Sequence, residues 1–230
     1  MKNTALALLV LTLAAGPAAG QGKETETVDR TLAFSPGGTL KLNNFSGNVH
    51  ITGTGDSSVK VHAVRRATRE RLENILLDIQ VSGSTIEIEA NRKAPGWSEK
   101  NDNVVETEFQ IEVPAGTLLN LHSFSGDLIA RGTTADVKAQ TFSGNIDLDL
   151  STAGAAPDIK AETFSGDISS RLPAASNGHV TFNSFSGDFR SDFPVMLNRK
   201  SKRDISADLG SGGGANFDFK TFSGDLKLVK

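Results

Sequence analysis

Between Val137 and Leu150 the chain alternates apolar and polar residues, in two phases. Val137, Ala139 and Thr141 stand on one side against Lys138 and Gln140. Phe142, Gly144, Ile146, Leu148 and Leu150 then stand against Ser143, Asn145, Asp147 and Asp149. Period-two alternation predicts strands with one buried face. Thr141 and Phe142 are adjacent yet belong to the two apolar sets, so the phase slips by one residue between them. The same slip follows Leu40, Leu42 and Asn44 at Phe45, and Leu119, Leu121 and Ser123 at Phe124. It recurs after Ile159, Ala161 and Thr163 at Phe164, after Val180, Phe182 and Ser184 at Phe185, and after Phe217, Phe219 and Thr221 at Phe222. A slip inside a strand requires a bulge or a corner. Each stretch therefore predicts strand, corner, strand, with a small polar residue at the corner.

Six corners carry one motif: NFSGNV at Asn44, SFSGDL at Ser123, TFSGNI at Thr141, TFSGDI at Thr163, SFSGDF at Ser184 and TFSGDL at Thr221. The structural repeat residues are thus Phe45 and Gly47, Phe124 and Gly126, Phe142 and Gly144, Phe164 and Gly166, Phe185 and Gly187, and Phe222 and Gly224. Successive phenylalanines lie 79, 18, 22, 21 and 37 residues apart. A period near 20 with doubled and quadrupled gaps predicts rungs whose signature has decayed, one of them at Val81–Ile86 around Gly83 and another near Asp204–Gly212. A unit this short cannot enclose a core alone, but stacked copies can. The expected fold is all-β: a single-stranded β-solenoid, right-handed and β-helix-like, with rungs of about 20 residues. Gly supplies a place where no Cβ fits or φ is positive.

The N-terminal half is less regular. Ser58–Ala63 alternates cleanly, and strands are predicted at 79–81, 85–90 and 105–113. Leu72, Ile75, Leu76 and Ile79 recur at helical spacing and predict one short helix there. The loop from Arg92 contains Trp97, the single tryptophan. Pro114-Ala115-Gly116 is a turn into the regular rungs. The resulting organisation is a leader over 1–20, an N-terminal segment over 21–38 and a solenoid over 39–230. Within it, rungs are irregular over 39–116, regular over 117–190 and loop-rich over 191–230.

Composition alters the setting more than the fold. Lys2, an apolar run from Ala5 to Ala15 and small residues to Gly20 form the pattern of a secretory signal peptide, with cleavage expected near Gly20–Gln21. No later run is long enough for a transmembrane span. With no cysteine, disulfides, thiolate metal sites and a lipidated cysteine are excluded. The expected location is extracytoplasmic, periplasmic or secreted. The formal charge of −3 becomes −4 once Lys2 is lost, a balance that argues against nucleic acid as partner.

The phenylalanine ladder is expected to be core, since an exposed column invites aggregation. If the slip falls at Gly instead, the rings turn outward as a stripe suited to sugar rings or an apolar partner. Asp127, Asn145, Asp167, Asp188 and Asp225 form a second column. Asp and Asn suit the position after a Gly bend; a cation between Asp167 and Asp188 is the sharper alternative. His50, His62, His122 and His179 fall mainly on polar phases, without a zinc-binding spacing. The FSG serine lacks the setting of a nucleophile elbow, and the run near Gly212 lacks that of a phosphate loop. Arg199, Lys200, Lys202 and Arg203 form a basic cluster in an expected solvated loop. With Trp97 they are the candidate binding residues, and anionic envelope polymers are the candidate ligand.

The repeated T-F-S-G-D-I units, the EVPAG turn and the leader resemble the DUF4097 putative adhesin family over Thr39–Lys230. The resemblance implies a β-helical, extracytoplasmic protein linked to adhesion or envelope stress, and it brings no catalytic residues or cofactor. This chain places Phe at every variable position of the motif. Three functions are weighed. The favoured one is a non-enzymatic, adhesin-like scaffold contacting the envelope, a surface glycan or polymer, or a protein. The others are a ligand-sensing module in envelope stress and a carbohydrate-active β-helix enzyme. The exposed ends of such a stack also make end-to-end self-association an expectation.

Overall fold

A computed structural model describes residues 10–12, 22–97, 104–201 and 203–230. Most of the expected leader, its cleavage point and Lys202 lie outside the described residues. Along the first half, the strands are β1 (Val10–Thr12), β2 (Glu24–Ala33), β3 (Thr39–Ser46), β4 (Val49–Thr54) and β5 (Ser58–Ala67). After helix α1 (Arg69–Asn74) come β6 (Ile75–Ser82), β7 (Thr85–Lys93) and β8 (Glu106–Pro114). The regular part holds β9 (Leu118–Ser125), β10 (Leu128–Arg131), β11 (Val137–Ser143), β12 (Ile146–Asp149), β13 (Ile159–Ser165) and β14 (Ile168–Arg171). Last are β15 (Gly178–Ser186), β16 (Phe189–Ser191), β17 (Val195–Lys200), β18 (Asp204–Leu209), β19 (Ala215–Ser223) and β20 (Leu226–Val229).

Each Phe-Ser-Gly corner joins a longer strand to a shorter one, and the two belong to different sheets. The first sheet has the order β1-β2-β5-β8-β4-β10-β12-β14-β20-β16, the second β17-β18-β15-β19-β13-β11-β9-β3-β7-β6. Within the six units all pairing is parallel and in register, so that Thr141 sits beside Ser123 on one side and Thr163 on the other. Antiparallel strands finish the sheets, for example β5 on β2 and β8, and β18 on β15. The fold is thus all-β and stacked. It is built of two mixed ten-stranded sheets rather than one single-stranded coil of parallel rungs. The inward residues of both sheets, among them Val137, Ala139, Ile146 and Leu148, meet in one core.

The long gaps in the repeat are largely excursions; only β7 and β8, which lie parallel on β3 and β4 but lack a Phe-Ser-Gly corner, resemble a further rung. Phe45 lies directly on Phe124, with ring centroids 4.8 Å apart, although 79 residues separate them. The intervening chain forms β5 to β8, which extend one end of the stack. Gly83, expected in a decayed copy, is in the tight turn of the β6–β7 hairpin at φ +60°. Asp204–Leu209 is an antiparallel strand, not a rung. The order of units also departs from the chain: β19 and β20 are inserted between the Phe164 and Phe185 units.

Helix α1 covers only six residues, and Ile75 onward is strand. The helical spacing of Leu72, Ile75, Leu76 and Ile79 misleads because short apolar runs satisfy both periods. Ile75 instead closes a small satellite core with Ala67 and Val105, against which Leu72 and Trp97 pack.

Candidate functional site

The corners decide what the surface presents. Along β11 the burial alternates without interruption through Thr141, which is inward, to Phe142, which is outward. The phase changes only at Ser143-Gly144-Asn145, before Ile146 returns to the core. All six ladder phenylalanines are therefore exposed, by 41–51%. This corrects the expectation of buried rings. The physical reason lies in the glycine. Gly126, Gly144, Gly166 and Gly224 have φ between +137° and +155°. The reversal there carries the chain from one sheet to the other, so the slip occurs one step later than the residue pattern suggests. A Cβ on Gly144 would stand 2.6 Å from the carbonyl carbon of Gly126, and closer still to its oxygen. Gly166 approaches Gly144 in the same way, and Gly224 approaches Gly166.

The small residue before each phenylalanine ties this glycine column together. The Thr163 hydroxyl donates to the Gly144 carbonyl at 3.0 Å, and Thr141 to that of Gly126 at 3.3 Å. In the Phe45 unit, Asn44 donates its side-chain amide to the carbonyls of Gly47 and Thr107. The polar column after the glycines is a second ladder. The backbone N–H of Asn145 donates to Asp127, that of Asp167 to Asn145, that of Asp225 to Asp167 and that of Asp188 to Asp225, all at 2.8–2.9 Å. Asp167 and Asp188 are not neighbours, since Asp225 lies between them. Arg190 stands 3.7 Å from Asp188 and 3.8 Å from Asp225. No group of three or more metal-ligating side chains occurs among the described residues. The requirement at this position is an acceptor oxygen. Asp167→Asn is accordingly expected to leave stability within about 0.5 kcal/mol of the parent, whereas Asp167→Ala should cost about 1 kcal/mol, both read from urea unfolding.

With the rings turned out, Phe45, Phe124, Phe142, Phe164, Phe222 and Phe185 form one column. Five intervals of 4.7–5.1 Å make it roughly 24 Å long, with interplanar angles of 1–17°. Neighbouring rings cover one another's faces, so solvent meets the ring edges. A sugar stacking on an aromatic needs a free face, and along this stripe the faces are occupied. The edges offer a narrow apolar strip instead. At its far end the Arg203 guanidinium lies over Phe185, 4.2 Å from the ring centroid. Beside Phe164, Phe222 and Phe185 runs a groove of about 480 Å³, whose walls include Glu162, Lys220 and Arg203. Burial alone would raise the Glu162 pKa. Hydrogen bonds from Lys160 and Gln140, with the charges of Lys160 and Lys220, outweigh it and hold the carboxyl below its ordinary value.

Of the other candidate binding residues, Arg203 alone joins the column. Arg199 and Lys200 are exposed on β17, and Trp97 is half-buried against the satellite core. Sequence reasoning missed a third arrangement. His179 on β15 is opposite Asp208 on β18; its Nδ1 lies 2.9 Å from Asp208 Oδ1 and its Nε2 3.2 Å from Ser206 Oγ. That is the hydrogen-bond order of a Ser-His-Asp triad. It lies on the outer face of a strand paired on both sides, with the His179 side chain 40% exposed. An acyl-transfer site also needs oriented donors for the oxyanion and a place for substrate. The histidine, followed by Asn198, holds the Asp208 pKa below its usual value by hydrogen bonding. A broad concavity of about 670 Å³ on the first sheet, lined by His50, His62, Lys60 and Glu112 among others, also contains paired charges. Lys60 there bridges Asp56 and Glu112 at 2.9 Å, and His62 meets Asp29 at 2.7 Å.

A crystal structure of a putative cell adhesion protein from Clostridium sporogenes is 14% identical, covering 87% of this chain and 97% of that one, with a TM-score of 0.61. That likeness is one of fold. A putative adhesin from Bacteroides fragilis is 13% identical over 88% of this chain and 97% of its own, with a TM-score of 0.28. No curated protein matches significantly. The Toastrack DUF4097 family model matches residues 39–229, spanning all six corners from Phe45 to Phe222, and the chain belongs to that family.

Proposed function

We propose that the protein is a non-enzymatic, adhesin-like scaffold working outside the cytoplasm after cleavage near Gly20, and that it holds an apolar element of an envelope component, surface polymer or protein along its phenylalanine stripe. The observation that carries this reading is the stripe itself: six large apolar side chains kept half-exposed in one line. Contiguous exposed apolar surface on a folded protein marks an interaction site more often than chance. Polar side chains such as Glu162, Lys220 and Arg203 flank the stripe along the groove, as the rim of a binding surface would.

Cosedimentation of purified protein with bacterial envelope fragments tests it. The wild type should be retained, and Phe124→Ser/Phe142→Ser/Phe164→Ser should lose retention by about tenfold or more. Equal retention by a folded triple variant removes the stripe from the function. Turnover of a polysaccharide by the purified protein would refute the non-enzymatic part. The groove beside Phe185 and Arg203 supports a second reading, a ligand-sensing module. In that case a small amphiphile should compete with the envelope fragments, and Arg203→Glu should abolish the competition.

A further inference from the structure

The six units give each sheet six strands, but beyond them the sheets are unequal. Next to the Phe45 unit the first sheet continues with β8, β5, β2 and β1, and the second with β7 and β6 only. Beyond the Phe185 unit the first sheet stops at β16, while the second continues with β18 and β17. The sheets are offset, and each overhangs the other at an opposite end. β1 falls in the segment expected to be cleaved; with it removed, β2 is the outermost strand of the first sheet.

Side chains at both ends point inward and find too little to cover them. Cross-strand partners share a face. Leu197 on β17 pairs with the fully buried Ala207, so it faces the core side, yet it is 50% exposed. Val81 on β6 pairs with the fully buried Ile86 and is 49% exposed. The charges at the two ends are opposite. β16 and β17 carry Arg190, Arg199 and Lys200 and no acid, with Arg190 also near Asp188 and Asp225 of its own chain. β2 and β6 carry Glu24, Glu26, Asp29 and Asp78 against Arg30, each acid also meeting a side chain of its own chain, Arg69, Arg65, His62 and Arg92 in turn.

We propose that copies of this chain stack head to tail, the basic β16/β17 end of one on the acidic β2/β6 end of the next. The offset of one copy receives that of its neighbour, as in a lap joint, and Leu197 and Val81 become core. β17 runs in the same sense as β15, and β6 runs against β7 and β3. Copies stacked in one orientation therefore set β17 against β6 antiparallel. Both strands carry a bulge, at Leu197/Arg199 and at Leu76/Asp78. The bulges shorten the stretch open to backbone pairing and leave the apolar and charged side chains to set the contact. Such a heterologous contact does not use itself up, so it extends until the rotation closes a ring or a filament forms. This assembly is independent of what the phenylalanine stripe holds.

Sedimentation velocity on the mature protein tests the proposal. Oligomers should grow with concentration in low salt, and association should weaken roughly tenfold at about 1 M salt, where charges are screened within about 3 Å. Leu197→Glu spoils one end and Val81→Lys the other, so each variant alone should stay monomeric. Mixed in equal amounts, they should form dimers and nothing larger, because one good end of each remains. The recovered dimer also shows that both variants are folded. A wild type that stays monomeric at every concentration overturns the proposal. So does a Val81→Lys protein that still self-associates, which would mean a symmetric contact, or a mixture that does not dimerise.

Discussion

Replacing Gly144 by alanine is expected to cost about 4 kcal/mol or more, enough to leave a domain of ordinary stability largely unfolded. Two effects add. The residue sits at φ +152°, which an L side chain rarely adopts. The new methyl group would also enter the Gly126 carbonyl of the neighbouring unit, which is backbone and cannot turn aside. Relief would require separating two rungs whose strands are hydrogen-bonded on both sides of the corner. Two other glycines calibrate the result. A Cβ on Gly132 would lie 3.2 Å from the Gly53 carbonyl oxygen at φ +69°, and an intermediate loss is expected. Gly154 has open space and no positive φ, so Gly154→Ala should stay within about 0.5 kcal/mol of the parent or gain slightly. Urea midpoints of the three variants should follow that order. A Gly144→Ala protein within about 1 kcal/mol of the parent would mean that the units are not in close register.

Breaking the Arg65–Glu26 pair should have the next largest effect. The Arg65 side chain is only 3% exposed and donates to the Glu26 carboxylate and to the Ile75 carbonyl. It fastens β2, β5 and the start of β6 at one end of the stack. Burial lowers the pKa of its guanidinium, and the charge and hydrogen bond of Glu26 oppose that shift. Removing the acid leaves a buried cation uncompensated. Because Glu26 keeps 22% of its side chain in solvent, water softens the loss, and Glu26→Ala should cost about 2–4 kcal/mol. Arg65→Met/Glu26→Leu, which removes both charges and keeps apolar volume, should recover most of it. A double variant no more stable than the single one would assign the effect to lost packing.

Much of this architecture is legible in the residues. Alternation on either side of Phe-Ser-Gly gives the strands, and the broken phase gives the corner. The repeated Asp or Asn marks the bend after the glycine, but that it accepts the neighbouring unit's N–H is seen only in the structure. The orientation of Phe142 is not legible, because Thr and Phe both fit an inward site and only the glycine backbone tells which one turns. The adjacency of Phe45 and Phe124 is hidden for a different reason. Interval arithmetic counts residues, and a chain that leaves the stack to form the antiparallel β5 and β6 spends residues without adding a Phe-Ser-Gly corner. Ser206, His179 and Asp208 are brought together by pairing between β15 and β18, across 27 and 29 residues, without a local motif. The candidate surface is visible in the sequence only as the less favoured alternative, an outward stripe if the slip falls at Gly, since exposure depends on that one corner.

The place of β19 and β20 has a consequence for how the molecule is made. Synthesis proceeds from the N-terminus, so the Phe185 unit exists before the Phe222 unit it must rest against. Until the last residues, through Leu226–Val229, leave the ribosome, β13 and β14 end in open hydrogen-bonding edges. Contacts this remote in sequence form slowly, and a nascent chain with bare edges is prone to misassembly. Completion hinges on a late arrival that slides between two earlier pieces. A product that stops before Leu226 lacks the strand that joins β14 to β16.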